Sequence, residues 1–160
     1  MPVYQFVGEN PNNRKMVFTW GYSATGALGN EIYLPKYKKG GVFDSPKKTV
    51  RKSPLKLRFV TADTTVHDVA AGFGFTVIAA TVRDTPYVLF GCGLNTDSQI
   101  GLQTSISKQE LICVANLVPI SVPVSPKEKI VKVSCGRSHT VCLTNTNRGL
   151  LIISPKQIFI

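Results

Sequence analysis

Acidic side chains are scarce in this 160-residue chain: 9 Asp and Glu stand against 19 Lys and Arg, a net charge of +10. The acids Asp63, Asp68, Asp84 and Asp97 are dispersed along the chain and offer no carboxylate pair of the kind acid–base hydrolysis needs. Cysteine is limited to Cys92, Cys113, Cys135 and Cys142, with no Cys-x-x-Cys spacing, and His67 and His139 complete no ligand set. A structural zinc site needs four such ligands in close pairs, so neither a metal nor a cofactor is expected. An Asn-x-Ser/Thr sequon is missing too, which with unpaired thiols favours a reducing compartment. No run reaches the roughly 18–20 apolar residues of a membrane-crossing helix, so only peripheral membrane association stays open. The opening Met1-Pro2-Val3-Tyr4-Gln5 has neither the charged nor the apolar region of a secretory signal, and no Arg- and Ser-rich transit segment. A sustained 3.6-residue apolar stripe is also absent, and ten prolines are scattered throughout, which argues against helices. Gly91-Cys92-Gly93-Leu94-Asn95-Thr96 starts like a dinucleotide fingerprint but has Thr96 in place of the third glycine and no helix to follow. Ser138 and His139 are chain neighbours that point to opposite sides of a strand, so they cannot pair as nucleophile and base. No catalytic residue is assigned, and covalent chemistry is not expected.

What is present is strand pattern and repetition. Val131, Val133 and Cys135 alternate with Lys132 and Ser134, the period of a strand with one buried face. Thr76–Val82 and Thr140–Thr144 are β-prone runs bounded by turn residues. Two passages echo each other. The first opens at Val17-Phe18-Thr19-Trp20-Gly21, runs to Leu28-Gly29, and closes at Ala71-Gly72-Phe73-Gly74-Phe75-Thr76. The second opens at Val88-Leu89-Phe90-Gly91, runs to Ile100-Gly101, and closes at Cys135-Gly136-Arg137-Ser138-His139-Thr140. Pairing the aromatic-Gly steps sets Gly21 against Gly91, 70 residues on, while Gly72 and Gly136 lie 64 apart. Such a period marks a repeat architecture, whose units bury their apolar faces against one another. The expected organisation is an N-terminal segment 1–16, a first repeat 17–82, a second repeat 83–144, and a divergent tail 145–160 that starts a truncated third repeat.

These motifs resemble the regulator-of-chromosome-condensation repeat family of β-propellers. Each unit there has an aromatic-Gly step, a Gly-rich stretch ending in Leu-Gly and a Val-x-Cys-Gly-x-x-His-Thr segment. Val133–Thr140 carries that last segment whole, whereas the first unit has Ala71 for the Cys and Phe75 for the His. The likeness covers about residues 2–144 and is greatest to a mitochondrial branch of the family. It implies an all-β fold of about two blades, an incomplete propeller of roughly seven. It also implies a mitochondrial location, otherwise a cytoplasmic or nuclear one, since no transit peptide stands in this chain. The family's founding activity, guanine nucleotide exchange on a GTPase, becomes the leading functional expectation.

Within that frame Trp20, Gly21, Gly29, Gly72, Gly91, Gly101, Cys135, Gly136 and His139 read as structural repeat residues. Trp20 is expected to fill the core between blades, and His139 to be a buried imidazole that ties down a turn. Arg137, Asn95 and Asp97 are the candidate partner contacts. Residues 36–58 hold nine bases against the single acid Asp44, a local +8 that leaves only +2 for the rest of the chain. With Gly40-Gly41 and three prolines, the stretch 35–58 reads as an exposed insertion. Its Lys47, Lys48, Arg51 and Lys52 are candidate phosphate contacts, which makes an RNA or ribosome-assembly scaffold the alternative function. The aromatic-Gly step is missing after Thr144. There Leu150-Leu151-Ile152-Ile153 can start a strand, but Ser154–Ile160 breaks the pattern. Two repeats cannot close a ring of four to eight blades. A truncated, non-functional product or partial gene model is therefore a third expectation, with Ile152-Ile153 and Ile158-Phe159-Ile160 as an aggregation hazard on an open edge.

Overall fold

The computed structural model describes residues 16–30 and 50–153, together with the backbone of 157–159. All regular structure among them is β, in antiparallel sheets. Strands β1 (Phe18–Tyr22) and β2 (Val50–Lys56) form a two-stranded sheet. Strands β3 (Thr64–Ala71), β4 (Phe75–Val82), β5 (Leu89–Leu94) and β6 (Cys113–Pro119) form a second sheet in that order. Strands β7 (Ile130–Cys135), β8 (Thr140–Thr144), β9 (Gly149–Ile152) and β10 (Gln157–Phe159) form a third. The all-β propeller-blade expectation holds. Of the stretch expected as a loop over 35–58, Val50–Lys56 instead forms a strand paired with β1, and 35–49 lie outside the described residues. Pro54 is tolerated there because β2 is an edge strand, where a missing N–H need not leave a partner unsatisfied.

Both faces of the second sheet are covered, which explains the unbroken apolar run of β4. Val77 and Ala79 point to a core shared with the third sheet, packed with Leu89, Ile100, Ile120, Ile130, Cys142, Leu150 and Ile152. The intervening Ile78 and Ala80 point the other way, to a smaller core with Leu57, Val66 and Phe90 that includes Val17 from ahead of β1. Phe59 and Phe90 meet there with ring centroids 4.7 Å apart. Such face-to-face stacking of four-stranded sheets is blade packing.

The sequence repeat and the sheet are offset by two strands. Residues 17–82 supply β1–β2 to one sheet and β3–β4 to the next, and 83–144 complete the second sheet with β5–β6 and begin the third with β7–β8. Every repeat therefore ties two neighbouring sheets together covalently. Polar contacts add to this. The Thr76 hydroxyl donates to the Ala27 carbonyl at 2.8 Å, and the Thr140 hydroxyl to the Gln99 carbonyl at 2.7 Å, one repeat later. The Asp68 carboxylate accepts the Val133 N–H at 3.0 Å.

The repeat register differs from the aromatic-Gly pairing. The β1–β2 ladder shifts between Thr19 and Gly21, and the β5–β6 ladder between Gly91 and Gly93. Gly21 and Gly93 share φ values of 107° and 108°, and Gly29 and Gly101 both lie at positive φ. The structural counterpart of Gly21 is thus Gly93, not Gly91, and Trp20 answers to Cys92. The tail departs from expectation as well. Gly149–Ile152 does form the anticipated strand, but Leu150 and Ile152 are buried and β10 pairs along its outer edge. Ile152 is core, not an exposed hazard, because alternate side chains of β9 face Ile130 and Cys142.

At the end of the strands that carries the β8–β9 turn, Glu128 organises the connection between β6 and β7. Its side chain is almost completely buried and accepts the Thr146 hydroxyl, the Ser125 N–H at 3.1 Å and Arg148 at 3.4 Å. These donors, the Thr146 hydroxyl foremost, hold its carboxyl below the usual glutamate range. A depressed folded-state pKa gives stability that is present above the unfolded-state value and is lost as pH falls through the folded one. Glu128→Gln should therefore lower Tm at pH 7, and the gap to wild type should narrow as the scan moves below pH 4. A gap independent of pH would refute the assignment.

Candidate interaction face

Antiparallel order, with the contact between the β3–β4 and β7–β8 turns, places the β3–β4, β5–β6 and β7–β8 connections at one end of the strands. At that end the hairpin turns of two neighbouring sheets touch. The Phe73 N–H donates to the Gly136 carbonyl at 3.2 Å, and the Arg137 guanidinium lies 5.3 Å from the centroid of the Phe73 ring. The ring is largely exposed, so this cation–π pair forms a surface ridge. Ser138 donates to the Asp97 carboxylate at 3.2 Å, which draws the β5–β6 connection to the same ridge. Asp97 is further fixed by Thr96 at 3.0 Å and by Gln99, whose side-chain oxygen accepts the Asp97 N–H at 2.9 Å.

Of the candidate contacts, Arg137 and Asp97 are exposed and meet through Ser138; Asn95 does not join them. It is buried: its amide nitrogen donates to the carbonyls of Gly101 (3.0 Å) and Leu111 (3.2 Å), and its oxygen accepts the Ile100 N–H at 3.1 Å. Every polar atom is spent folding its own connection. His139 is also corrected. The imidazole is exposed and lies flat over Gly136, where even a Cβ would fall 2.2 Å from its Cε1. Trp20, expected in the core, is exposed on β1, whose one described strand partner is β2. Lys47 and Lys48 lie outside the described residues. Arg51 and Lys52 sit on β2, the first half-buried and the second exposed.

Sequence reasoning missed Phe73, although an aromatic flanked by Gly72 and Gly74 is the pattern of a presented turn tip. It also missed the tongue within the β5–β6 connection, closed by the Thr104–Glu110 bridge, with Ile106 fully exposed and Leu102 and Ile112 largely so. The cysteines are chemically quiet. Burial pushes the thiols of Cys92 and Cys142 up to about 12 and that of Cys135 up to about 11, and raises Cys113. Each stays protonated at neutral pH and packs as a small apolar group. Among the described residues no cluster of three His, Cys, Asp or Glu side chains could hold a metal ion. No helix among them is long and apolar enough to cross a membrane.

Stacked four-stranded sheets with loops gathered at one end define propeller blades that present a surface. Residues 88–143, which run from just ahead of β5 to near the end of β8, match the regulator of chromosome condensation (RCC1) repeat, the family that the chain resembles. It is 32% identical over 151 residues to the RCC1-like G exchanging factor-like protein of Mus musculus, covering 91% of this chain and 32% of the relative. The crystal structure of human WBSCR16 superposes with a TM-score of 0.69 at 28% identity, over 88% of this chain and 34% of that one. Prp20p of Saccharomyces cerevisiae, at 17% identity and a TM-score of 0.58 over 86% of this chain and 28% of that one, shares the fold. The chain spans about a third of the length of the curated relatives it matches.

Proposed function

We propose that these blades belong to a protein-interaction propeller that acts as a guanine nucleotide exchange factor on a mitochondrial GTPase. The observation that carries this reading is the Phe73–Arg137 ridge with Asp97 beside it, an exposed aromatic and two opposite charges gathered at neighbouring strand connections. Exchange needs such a surface and no covalent step: it displaces the contacts that hold the nucleotide. The name of the mouse relative supports it, as does the study of Prp20p binding to Gsp1p and histones. Exposed aromatic and Arg residues are the side chains that most often anchor interfaces. The test is release of a fluorescent GDP analogue from mitochondrial GTPases, with and without the chain. Acceleration that falls about tenfold or more with Arg137→Ala, fold intact, is expected. Acceleration indifferent to Arg137→Ala and Phe73→Ala would remove the ridge from the mechanism.

The +8 of residues 36–58 favours a second reading, an RNA or ribosome-assembly scaffold. Replacing Lys47, Lys48, Arg51 and Lys52 by Ser would then abolish salt-sensitive RNA binding and leave nucleotide release untouched.

A further inference from the structure

Strands β2 and β6, each the last of its sheet, provide an internal control on what a blade edge requires. Both ladders shift at one place: Trp20 alone stands against Lys52, Ser53 and Pro54, and Cys92 alone against Ala115, Asn116 and Leu117. Extra residues in such a bulge go unpaired and the strand bends. Ser53 and Asn116, the middle residues, are both exposed. Because β6 completes a four-stranded sheet, the middle residue of this bulge reaches solvent even with every inner strand in place. The two edges differ in chemistry. Arg51, Lys52, Lys56 and Arg58 correspond to Val114, Ala115, Pro119 and Ser121, and Ser53-Pro54 to Asn116-Leu117. A blade thus forms this edge without any base or Ser-Pro step, and packing accounts for neither.

We infer that Ser53 is a phosphoacceptor for a proline-directed serine kinase that also reads the base Lys56. The Ser53 hydroxyl is exposed, and no hydrogen bond within the described residues holds it. Strand β2 is already extended, so it can lie along an enzyme cleft without unfolding. Pro54 follows directly. A pocket that offers no acceptor selects proline at that place, because any other residue would bury an unpaired N–H. Lys56, exposed three residues on, supplies a charge for an acidic group of the enzyme. The step is a phosphoryl transfer. The Ser53 Oγ bonds to the γ-phosphorus of ATP, the bond from that phosphorus to the bridging oxygen breaks as ADP leaves, and the hydroxyl proton passes to a carboxylate of the kinase. The product adds about −1.5 to −2 of charge beside the four bases and offsets roughly half of theirs. The other described Ser/Thr-Pro steps fit less well. Thr85 donates its hydroxyl to the Val82 carbonyl and has Val88 three residues on, and Ser125-Pro126 has the acid Glu128 there. The assignment depends on neither reading of function, and its test uses no GTPase and no RNA.

The full chain, its folded sheet checked by far-UV circular dichroism, is incubated with Mg-ATP and a cyclin-dependent kinase as the probe. Peptide mass spectrometry then places the phosphate, since Ser45-Pro46-Lys47-Lys48 offers the same pattern in sequence. The expected result is near-stoichiometric phosphate on Ser53, lost in Ser53→Ala. Pro54→Ala should lower the initial rate at Ser53 about tenfold or more, the effect of one unpaired N–H in the enzyme pocket. Lys56→Ala should lower it severalfold, as loss of a single exposed ion pair does. Phosphate confined to Ser45 or to other positions, with Ser53 unmodified in the folded chain, would overturn the inference. So would a rate at Ser53 indifferent to Pro54→Ala, because the enzyme would then not be reading the Ser-Pro step. If Pro54→Ala prevents folding, the same substitution in a linear Lys48–Phe59 peptide decides, and an unchanged rate there refutes the assignment.

Discussion

Gly93→Ala is expected to remove most of the stability of the second sheet. At φ 108° the residue lies where L side chains are strained, and a Cβ would sit 2.4 Å from the Gly74 carbonyl oxygen and 2.5 Å from Phe75 Cα. Both obstacles are backbone, held by β4–β5 pairing, so neither can swing aside. Backbone strain and overpacking together amount to roughly 3–5 kcal/mol, comparable to the whole stability of a small domain. Gly21→Ala is the control: its φ is 107°, yet no atom of the described residues lies within 4 Å of the added carbon. It should cost only the backbone strain, about 1–3 kcal/mol. Chemical denaturation followed by far-UV circular dichroism separates the two. Equal midpoints for both variants would show that strain alone acts at Gly93.

The contrast between Gly21 and Gly93 also marks what a single sequence could convey. Repetition was legible because glycine is demanded by backbone geometry wherever it recurs, as at Gly29 and Gly101. The register was not, since Phe90-Gly91 and Cys92-Gly93 stand in tandem and only the ladder shift and φ choose between them. Trp20 was misplaced for a different reason. On β1, whose one strand partner among the described residues is β2, the ring is exposed, and hydrophobicity alone carries no information about which neighbours a strand finds. Asn95, a candidate partner contact by sequence, is instead enclosed by its own connection, and its Gly101 and Leu111 partners lie 6 and 16 residues away in the chain. Arg137 and Asp97 were legible because charge on a turn has few places to go but outward. Their meeting through Ser138 was not, for it joins residues 41 apart across two sheets.

The turn glycines yield the second large effect, and it separates two positions that look identical in the repeat. A Cβ on Gly72 would fall 2.2 Å from Phe75 Cε1 and 2.6 Å from the Gly136 carbonyl oxygen. Phe75 is fully buried in the main core and the carbonyl belongs to the next sheet, so relief requires the two sheets to part. Gly72→Ala should cost about 2–4 kcal/mol and disturb the Phe73–Arg137 ridge with it. At Gly136 the three atoms nearest the added carbon all belong to the His139 ring, which is exposed and can rotate into solvent, so Gly136→Ala should cost no more than about 1 kcal/mol. Thermal unfolding of the two variants would measure this asymmetry, and equal losses would mean that His139 is held as firmly as Phe75. The unequal outcome would follow from position in the stack. The β3–β4 turn is pressed by a neighbouring sheet, whereas the imidazole of the β7–β8 turn faces solvent. Arg137 thus projects from a turn with room to adjust, against a Phe73 turn that has none, and a rigid anchor beside a yielding charge is an arrangement suited to engaging a partner surface.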